Sequence, residues 1–255
     1  MLAAALSGCV SLPGEERPAA APSLTGDAGF PRLDPGAQHL DSLHFQTFGY
    51  GAEKTQRSSE TAERLYGRIM ADTGLYSFMP RQLYPLIVYA SQEEFIRKSG
   101  MPDWSGGVAV GRALYMPDGP QFHVTLAHEM THLIFNEFMG RTDAALRWIN
   151  EGLAVYEEEE ERGGVLRSRA VSRAMPFRDM ANLAPIGEKD SLVSDWYGQV
   201  GSVTRFLIER GGRVGFGEFL KSLRDGRSFD DAVRTGFPGT WAGADTLEAA
   251  WNANR

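Results

Sequence analysis

The middle of the chain contains two histidines at the spacing of a metal-binding helix. In LAHEMTHLIF, residues 126–135, His128 and His132 are four positions apart, and Glu129 follows the first of them. Residues four apart on a helix share one face, with Cβ atoms about 5–6 Å apart. Two imidazoles at this separation can bind one metal ion through a nitrogen each. Glu129 lies about 100° further around the helix, where its carboxylate could instead reach a water molecule beside the ion.

Apolar residues in the same segment predict that this helix, over residues 121–139, is buried. The flanking apolar residues are Phe122, Leu126, Met130, Leu133, Ile134 and Phe138. Burial of two imidazoles and a carboxylate costs free energy unless these groups are bound, so the pattern favours a metal site. The simpler interpretation is that the histidines make ordinary hydrogen bonds, and we adopt it for His123.

A catalytic zinc needs a third protein ligand and a position left open for water. Glu151, in RWINEGLAVYEEEE, lies 19 positions after His132. A second helix is predicted over residues 144–161, capped by Thr142 or Asp143. It would run antiparallel to the first helix and bring Glu151 back beside the histidines. The alternative is a solvated surface carboxylate, which the apolar neighbours of Glu151 argue against. These neighbours are Trp148, Ile149, Leu153 and Val155.

The complete pattern resembles the gluzincin zinc metallopeptidases. It consists of His128-Glu129-x-x-His132 and then, after 18 residues, Glu151 within WINEGLAVY. The likeness is greatest to the small bacterial peptidase MA-like members, and WINEGLA is similar to a Trp-x-x-Glu-Gly-x-Ala segment of that group. The resemblance runs from about residue 42 to residue 253 and implies a zincin-like fold.

The resemblance also implies a role for each matching residue. His128, His132 and Glu151 would be the ligands of one Zn²⁺ per chain, and Glu129 would be the general base. A later tyrosine or histidine often stabilises the oxyanion in this family, and Tyr197 is our candidate. Tyr197 could equally be an amphipathic core residue.

Three further residues are weaker candidates for the site. Tyr156, five positions after Glu151, is an alternative oxyanion donor or a simple packing residue. Asn150 or Asp195 could orient a histidine from behind. The sequence does not choose between these two.

The order of predicted elements indicates an α+β fold, with a small N-terminal sheet, the active-site helix and a helical C-terminal lobe. Strands are predicted in LHFQTFGY, YPLIVYA and residues 106–117. Helices are predicted over 53–73 and in SQEEFIRKSG. In the second of these helices, Ser91 and Glu94 form a capping box and Gly100 ends the helix. Further helices are predicted near 197–210, 215–224, 228–235 and 245–253. Residues 176–195 are predicted to be a long loop.

The N-terminus resembles a lipoprotein signal. Residues 1–9 are apolar and small and end in Leu6-Ser7-Gly8-Cys9, which is similar to a lipobox whose cysteine is lipidated. The run is short and lacks a preceding Lys or Arg, which a truncated or misplaced start would explain. The alternative is an incidental cysteine. Residues 10–40 are predicted to be a flexible tether rich in Pro, Gly, Ala and Ser, and residues 41–255 the peptidase MA-like domain.

These features predict a zinc metallopeptidase acting on a peptide or protein, anchored through Cys9 and facing the periplasm of a bacterial envelope. The net charge of −7 argues against nucleic acid as a partner. Residues 107–116 would line the cleft and pair with an extended substrate, or form a plain hairpin. The acidic run Glu157–Glu161 is predicted to be a solvated helix end rather than a calcium site.

Two other functions compete with this one. The first is a non-catalytic lipoprotein that keeps zinc as a clamp or binds peptides without cutting them. The second is a zinc hydrolase of a non-peptide amide, such as a cell-wall peptide bridge. The segment with which related aminopeptidases hold a free N-terminus is not found, which favours internal or very narrow cleavage.

Overall fold

The computed structural model describes residues 33–164, 171, 174–183 and 190–254. These residues form five β-strands and nine α-helices, so the predicted α+β class is confirmed. The strands are β1 Ala37–Asp41, β2 Phe45–Tyr50, β3 Tyr84–Tyr89, β4 Val108–Val110 and β5 Ala113–Pro117. The helices are α1 Ala52–Thr73, α2 Gln92–Ser99, α3 Phe122–Met139, α4 Arg147–Glu161, α5 Phe177–Asn182, α6 Asp190–Gly211, α7 Arg213–Arg224, α8 Phe229–Gly236 and α9 Ala244–Asn252.

The five strands form one sheet in the order β1-β2-β3-β5-β4. The central strands β2, β3 and β5 are parallel, and the two edge strands are antiparallel to their neighbours. Strand β1 begins at Ala37, so the last residues of the predicted tether, which extended to residue 40, belong to the sheet. Residues 106–117 are predicted to be a hairpin or an edge strand with a bend at Gly111, and they form the hairpin of β4 and β5. Its turn contains Gly111 with a positive φ of 60°.

Contacts divide the chain into two compact units. The first contains the described residues up to 66 and residues 80–133, and its core includes Phe45, Leu86 and Met116. The second contains residues 67–79 and the described residues from 134, and its core includes Trp196 and Phe219. Two of the three boundaries, 66/67 and 133/134, fall inside helices α1 and α3. Within the described residues, none of the helices is long and apolar enough to cross a bilayer.

Helix α2 shows how far local capping signals hold. Ser91 is the N-cap and accepts a hydrogen bond from the Glu94 backbone N–H, and Gly100 closes the helix in the left-handed conformation, both as predicted. The second hydrogen bond of the capping box, from the Ser91 backbone N–H to the Glu94 side chain, is replaced by other contacts. Glu94 instead accepts from the Ala90 backbone N–H at 2.7 Å and from the Tyr50 hydroxyl at 2.9 Å.

Two helix predictions in the second unit need correction. Residues 144–146 form a 3-10 turn, capped by the Asp143 side chain, and α4 itself begins at Arg147. The predicted loop over 176–195 is largely wrong, because α5 occupies Phe177–Asn182 and α6 begins at Asp190. The reason is tertiary: the indole N–H of the buried Trp196 donates to the Met180 carbonyl at 2.9 Å, which holds these two segments together.

Helices α4 and α6 approach each other closely at Gly152. A Cβ atom added there would lie 2.5 Å from the Val200 carbonyl oxygen and would also collide with the Thr204 hydroxyl. Two backbones can pack this closely only where one side chain is missing. Gly152 therefore permits the close packing of α4 against α6.

We expect Gly152→Ala to destabilise the protein by about 1–3 kcal/mol or more, because overpacking against backbone forces α4 and α6 apart. Gly67→Ala is the matched control, since a Cβ at this helical glycine meets no atom within 4 Å. That variant should gain about 0.5–1 kcal/mol. Chemical denaturation measures both, and equal stability of the two variants would contradict the packing argument.

The acidic run at the end of α4 is not solvated, so that prediction is wrong. Glu157 is fully buried, and its Oε2 accepts from Arg68 Nε at 2.9 Å. Arg68 also pairs with Glu161 and donates to the Glu157 carbonyl oxygen at 2.8 Å. Arg205 pairs with Glu159 and Glu160. The run therefore anchors α4 to two neighbouring helices through arginines.

The pKa of Glu157 is raised from 4.5 to about 8. Burial is the largest cause, Arg68 opposes the increase and Asp72 adds to it. The folded protein then binds more protons than the unfolded chain between these pH values, so its stability falls as pH rises through this window. Each pKa unit corresponds to about 1.4 kcal/mol, so the loss amounts to a few kcal/mol. Glu157→Gln should flatten this fall.

Urea unfolding at pH 5 and pH 8 measures the difference. Glu158→Gln, which removes the charge that pairs with Arg162, should retain the fall seen in the natural chain. Burial also raises the pKa of Asp72, so a smaller fall of the same sign remains in Glu157→Gln. An unchanged fall in that variant would contradict the assignment.

Candidate metal site

Helix α3 places both histidines on one buried face, as the spacing predicts. His128 and His132 are 3% and 1% exposed, and their ring centroids lie 4.8 Å apart with the planes nearly perpendicular. Leu126, Ala127, Met130 and Thr131 are fully buried around them. A helix so apolar on all sides is a core helix, and water reaches little of its surface. Electrostatic interactions at the histidines are correspondingly strong.

Glu151 joins the two histidines. One ligand atom from each of His128, His132 and Glu151 lies within 4.8 Å of the others, and all three side chains are buried. Glu151 is on α4, flanked by Trp148, Ile149 and Leu153, which are also buried. The prediction that Glu151 is not a solvated surface residue is therefore confirmed.

A hydrogen bond one turn beyond the histidines links α4 to α3. Asn150 Nδ2 donates to Asn136 Oδ1 at 3.4 Å. Asn136 lies four residues after His132, and Asn150 directly precedes Glu151, so this contact brings the start of α4 beside the end of α3. Asn150 is one of the two residues that could orient a histidine, and that role stays a prediction. The structure gives Asn150 this bond to Asn136 on α3.

The three side chains fit a divalent metal ion. Tetrahedral zinc, with bonds of about 2.0–2.2 Å, needs ligand atoms roughly 3.4 Å apart, so side-chain shifts of about 1 Å complete the site. Two imidazoles and one carboxylate are a donor set that zinc accepts. Among the described residues, the group has no fourth His, Cys, Asp or Glu. Three protein ligands and one open position are typical of a catalytic zinc, whereas structural zinc is held by four.

Glu129 is held by a main-chain donor. Its Oε2 accepts from the Ala109 backbone N–H at 3.0 Å, and the residue is 2% exposed. Its other oxygen, Oε1, is buried and has no hydrogen-bond partner among the described residues. Buried carboxylate oxygens are normally bonded, so Oε1 is left available for a group that the protein does not supply. A water molecule fits this need.

Ala109 lies in β4, the edge strand of the sheet. The register places Ala109 opposite Leu114 of β5, while its N–H donates to Glu129. The edge strand predicted to lie along the cleft is thus bonded directly to the motif glutamate. Its pairing with a substrate stays a prediction. Sequence patterns gave no signal for this backbone contact, because the donor is the same for almost any residue at position 109.

The two tyrosine candidates differ in their surroundings. Tyr197 is half-buried in α6 and packs edge-on against Trp196, with ring centroids 5.0 Å apart. Its part in catalysis stays a prediction. Tyr156 is buried, with the Arg205 guanidinium 4.8 Å from its ring centroid, and burial raises its pKa. This packing favours a structural role for Tyr156. Asp195 lies in α6, and its orienting role stays a prediction.

Comparison of the chain with models of protein families, with curated proteins and with solved structures gives no match. The resemblance to gluzincins therefore rests on the motif residues alone. The predicted lipidation site, Cys9, and most of the predicted tether lie outside the described residues.

Proposed function

We propose that the protein is a zinc metallopeptidase of the gluzincin type that hydrolyses peptide bonds. The observation that supports this most is the group of three buried ligands, His128, His132 and Glu151. Beside it lies a fourth buried polar residue, Glu129, whose Oε1 has no hydrogen bond among the described residues. A purely structural metal site has no use for such a carboxylate.

Zinc held by this donor set would act as a Lewis acid, lowering the pKa of water and polarising a substrate carbonyl. Glu129 Oε1 accepts a proton from the water that attacks the carbonyl carbon, and later transfers it to the amide nitrogen as the C–N bond breaks. The products are a carboxylic acid and an amine. The Ala109 N–H holds Oε2, so Glu129 needs little reorganisation to act. Tyr197 is the proposed donor to the oxyanion.

The proposed substrate is an extended peptide or an unfolded segment of a protein. Strand β4 is the edge of the sheet and is only half-buried, so an extended chain could add to it as a further strand. We also propose that lipidation of Cys9 anchors the protein in a bacterial envelope, facing the periplasm. The Leu6-Ser7-Gly8-Cys9 sequence supports that proposal.

The alternative function is a zinc-containing lipoprotein that binds peptides without cutting them. It accounts for the three ligands equally well. It gives no reason for the buried Glu129 beside them, nor for a group of only three ligands among the described residues.

Digestion of a broad peptide library, read by mass spectrometry, tests the proposal. Chain loaded with about one zinc per molecule should produce cleavages that disappear with a chelator and return when zinc is added. Zinc binding without any cleavage would reject the peptidase function. Chelator-sensitive retention of library peptides in that case would favour the binding function.

A further inference from the structure

A cleft in the first unit lies where three parallel strands end. Strands β2, β3 and β5 finish at Tyr50, Tyr89 and Pro117, and α1 begins directly after β2. The cleft has a volume of about 40 Å³ and is lined by Tyr50, Lys54, Ser58, Val88, Tyr89 and Asp118, among others. Ligands of open α/β sheets commonly bind in the crevice at the carboxyl ends of parallel strands.

The mouth of the cleft carries one charge of each sign. Lys54 Nζ lies 2.5 Å from Asp118 Oδ2, and both side chains are more than one-third exposed. Asp118 is fixed by its own backbone N–H, which donates to the Tyr89 carbonyl at 2.8 Å. An exposed pair of this kind contributes little to stability, and a small charged molecule can reach both groups.

Ser58 sets the cleft apart from an ordinary surface groove. It lies one turn after Lys54 on α1, is only 9% exposed and lines the cleft. No hydrogen bond joins its hydroxyl to any described residue, whereas the neighbouring Thr55 hydroxyl donates to the Gly51 carbonyl at 3.0 Å. Serine hydroxyls inside helices usually make that bond to the carbonyl four residues back. The Ser58 hydroxyl is therefore available to a molecule in the cleft.

We propose that this cleft binds a small zwitterion, namely a free α-amino acid with a short side chain. A purely anionic ligand would be repelled by Asp118, and a purely cationic one by Lys54. An amino acid places its carboxylate at Lys54 and Ser58, where the N-terminal end of α1 adds positive potential. Its ammonium group pairs with Asp118, and its side chain meets Val88. This site is independent of the proposed peptidase function.

Isothermal titration calorimetry on the full chain tests the proposal with three probes. L-Alanine should bind saturably at one site per chain. Propionate lacks the ammonium group and ethylammonium lacks the carboxylate, so each should bind at least about tenfold more weakly, since each loses one charged contact. Alanine that does not saturate at millimolar concentrations, or binds no better than propionate, overturns the proposal. The titrations are done with and without zinc and should agree.

Variants locate the site. Lys54→Met and Asp118→Asn should each weaken alanine binding about tenfold, and Ser58→Ala less. Asp118→Asn should also improve propionate binding, because the repulsion is gone. Lys221→Met removes an exposed lysine of a similar pair, with Glu218, and should change nothing. Alanine affinity unaltered by both Lys54→Met and Asp118→Asn overturns the assignment. The probe comparison on the natural chain decides the matter if a variant does not fold.

Discussion

Replacing Glu129 with glutamine is expected to lower kcat/KM for peptide cleavage by about 10²–10⁴, the usual contribution of a general base. Glutamine keeps the shape of the side chain, and its amide oxygen can still accept from the Ala109 N–H. It cannot take a proton from water. Zinc content should stay at about one ion per chain, because Glu129 is not among the three grouped ligands. Activity is measured on a library peptide that the natural chain cleaves, and zinc by mass spectrometry.

Glu137→Gln is the matched control, with the same chemical change on the same helix. It should retain both activity and zinc. Full activity in Glu129→Gln would reject the role of general base. Loss of zinc in Glu129→Gln would mean that Glu129 is itself a ligand, and the division of roles between ligands and base would then be wrong.

Replacing Glu151 with glutamine is expected to remove most of the zinc affinity and activity together. Loss of a residue that only supports a ligand typically costs 10–100-fold in metal affinity, so loss of the ligand itself should cost more than about 100-fold. Competition with a chromophoric chelator measures the affinity. The zinc-free variant should be at least as stable as the zinc-free natural chain, because a buried carboxylate has been replaced by a neutral amide.

Thermal unfolding gives a second measurement of the Glu151 variant. A ligand that binds only the folded state stabilises it by about 2.7 kcal/mol at 100 times its Kd. Zinc should therefore raise the melting temperature of the natural chain, and of Glu158→Gln on the same helix, but not that of Glu151→Gln. An equal rise in Glu151→Gln would show that zinc binds elsewhere.

Features fixed by neighbours in sequence are the ones that the sequence predicts well. The four-residue spacing of His128 and His132 is enough to place them on one helix face. The Ser91 cap and the Gly100 stop are equally local. Glu151 is a more distant case, and its position could be predicted because two helices joined by a short turn have few ways to pack.

Features fixed by distant partners are the ones that the sequence predicts poorly. Arg68 is 89 positions before Glu157. Nothing in a run of five glutamates indicates that the run will pack inside the protein and pair with arginines. Trp196 holds the start of α6 through a carbonyl of α5, although its local Ser- and Asp-containing segment favours a loop. Ser58 reads as an ordinary helical serine until the cleft beside it is known.

The bond from Ala109 to Glu129 bears on how this protein can be studied and how it can change. Every amino acid except proline offers the same amide proton, so other side-chain substitutions at position 109 should leave this bond in place. The amino acid at position 109 can therefore change during evolution while Glu129 keeps its orientation. Only proline, which edge strands tolerate, would remove this hydrogen bond without changing Glu129. The Ala109→Pro variant would therefore separate the orientation of Glu129 from its basicity.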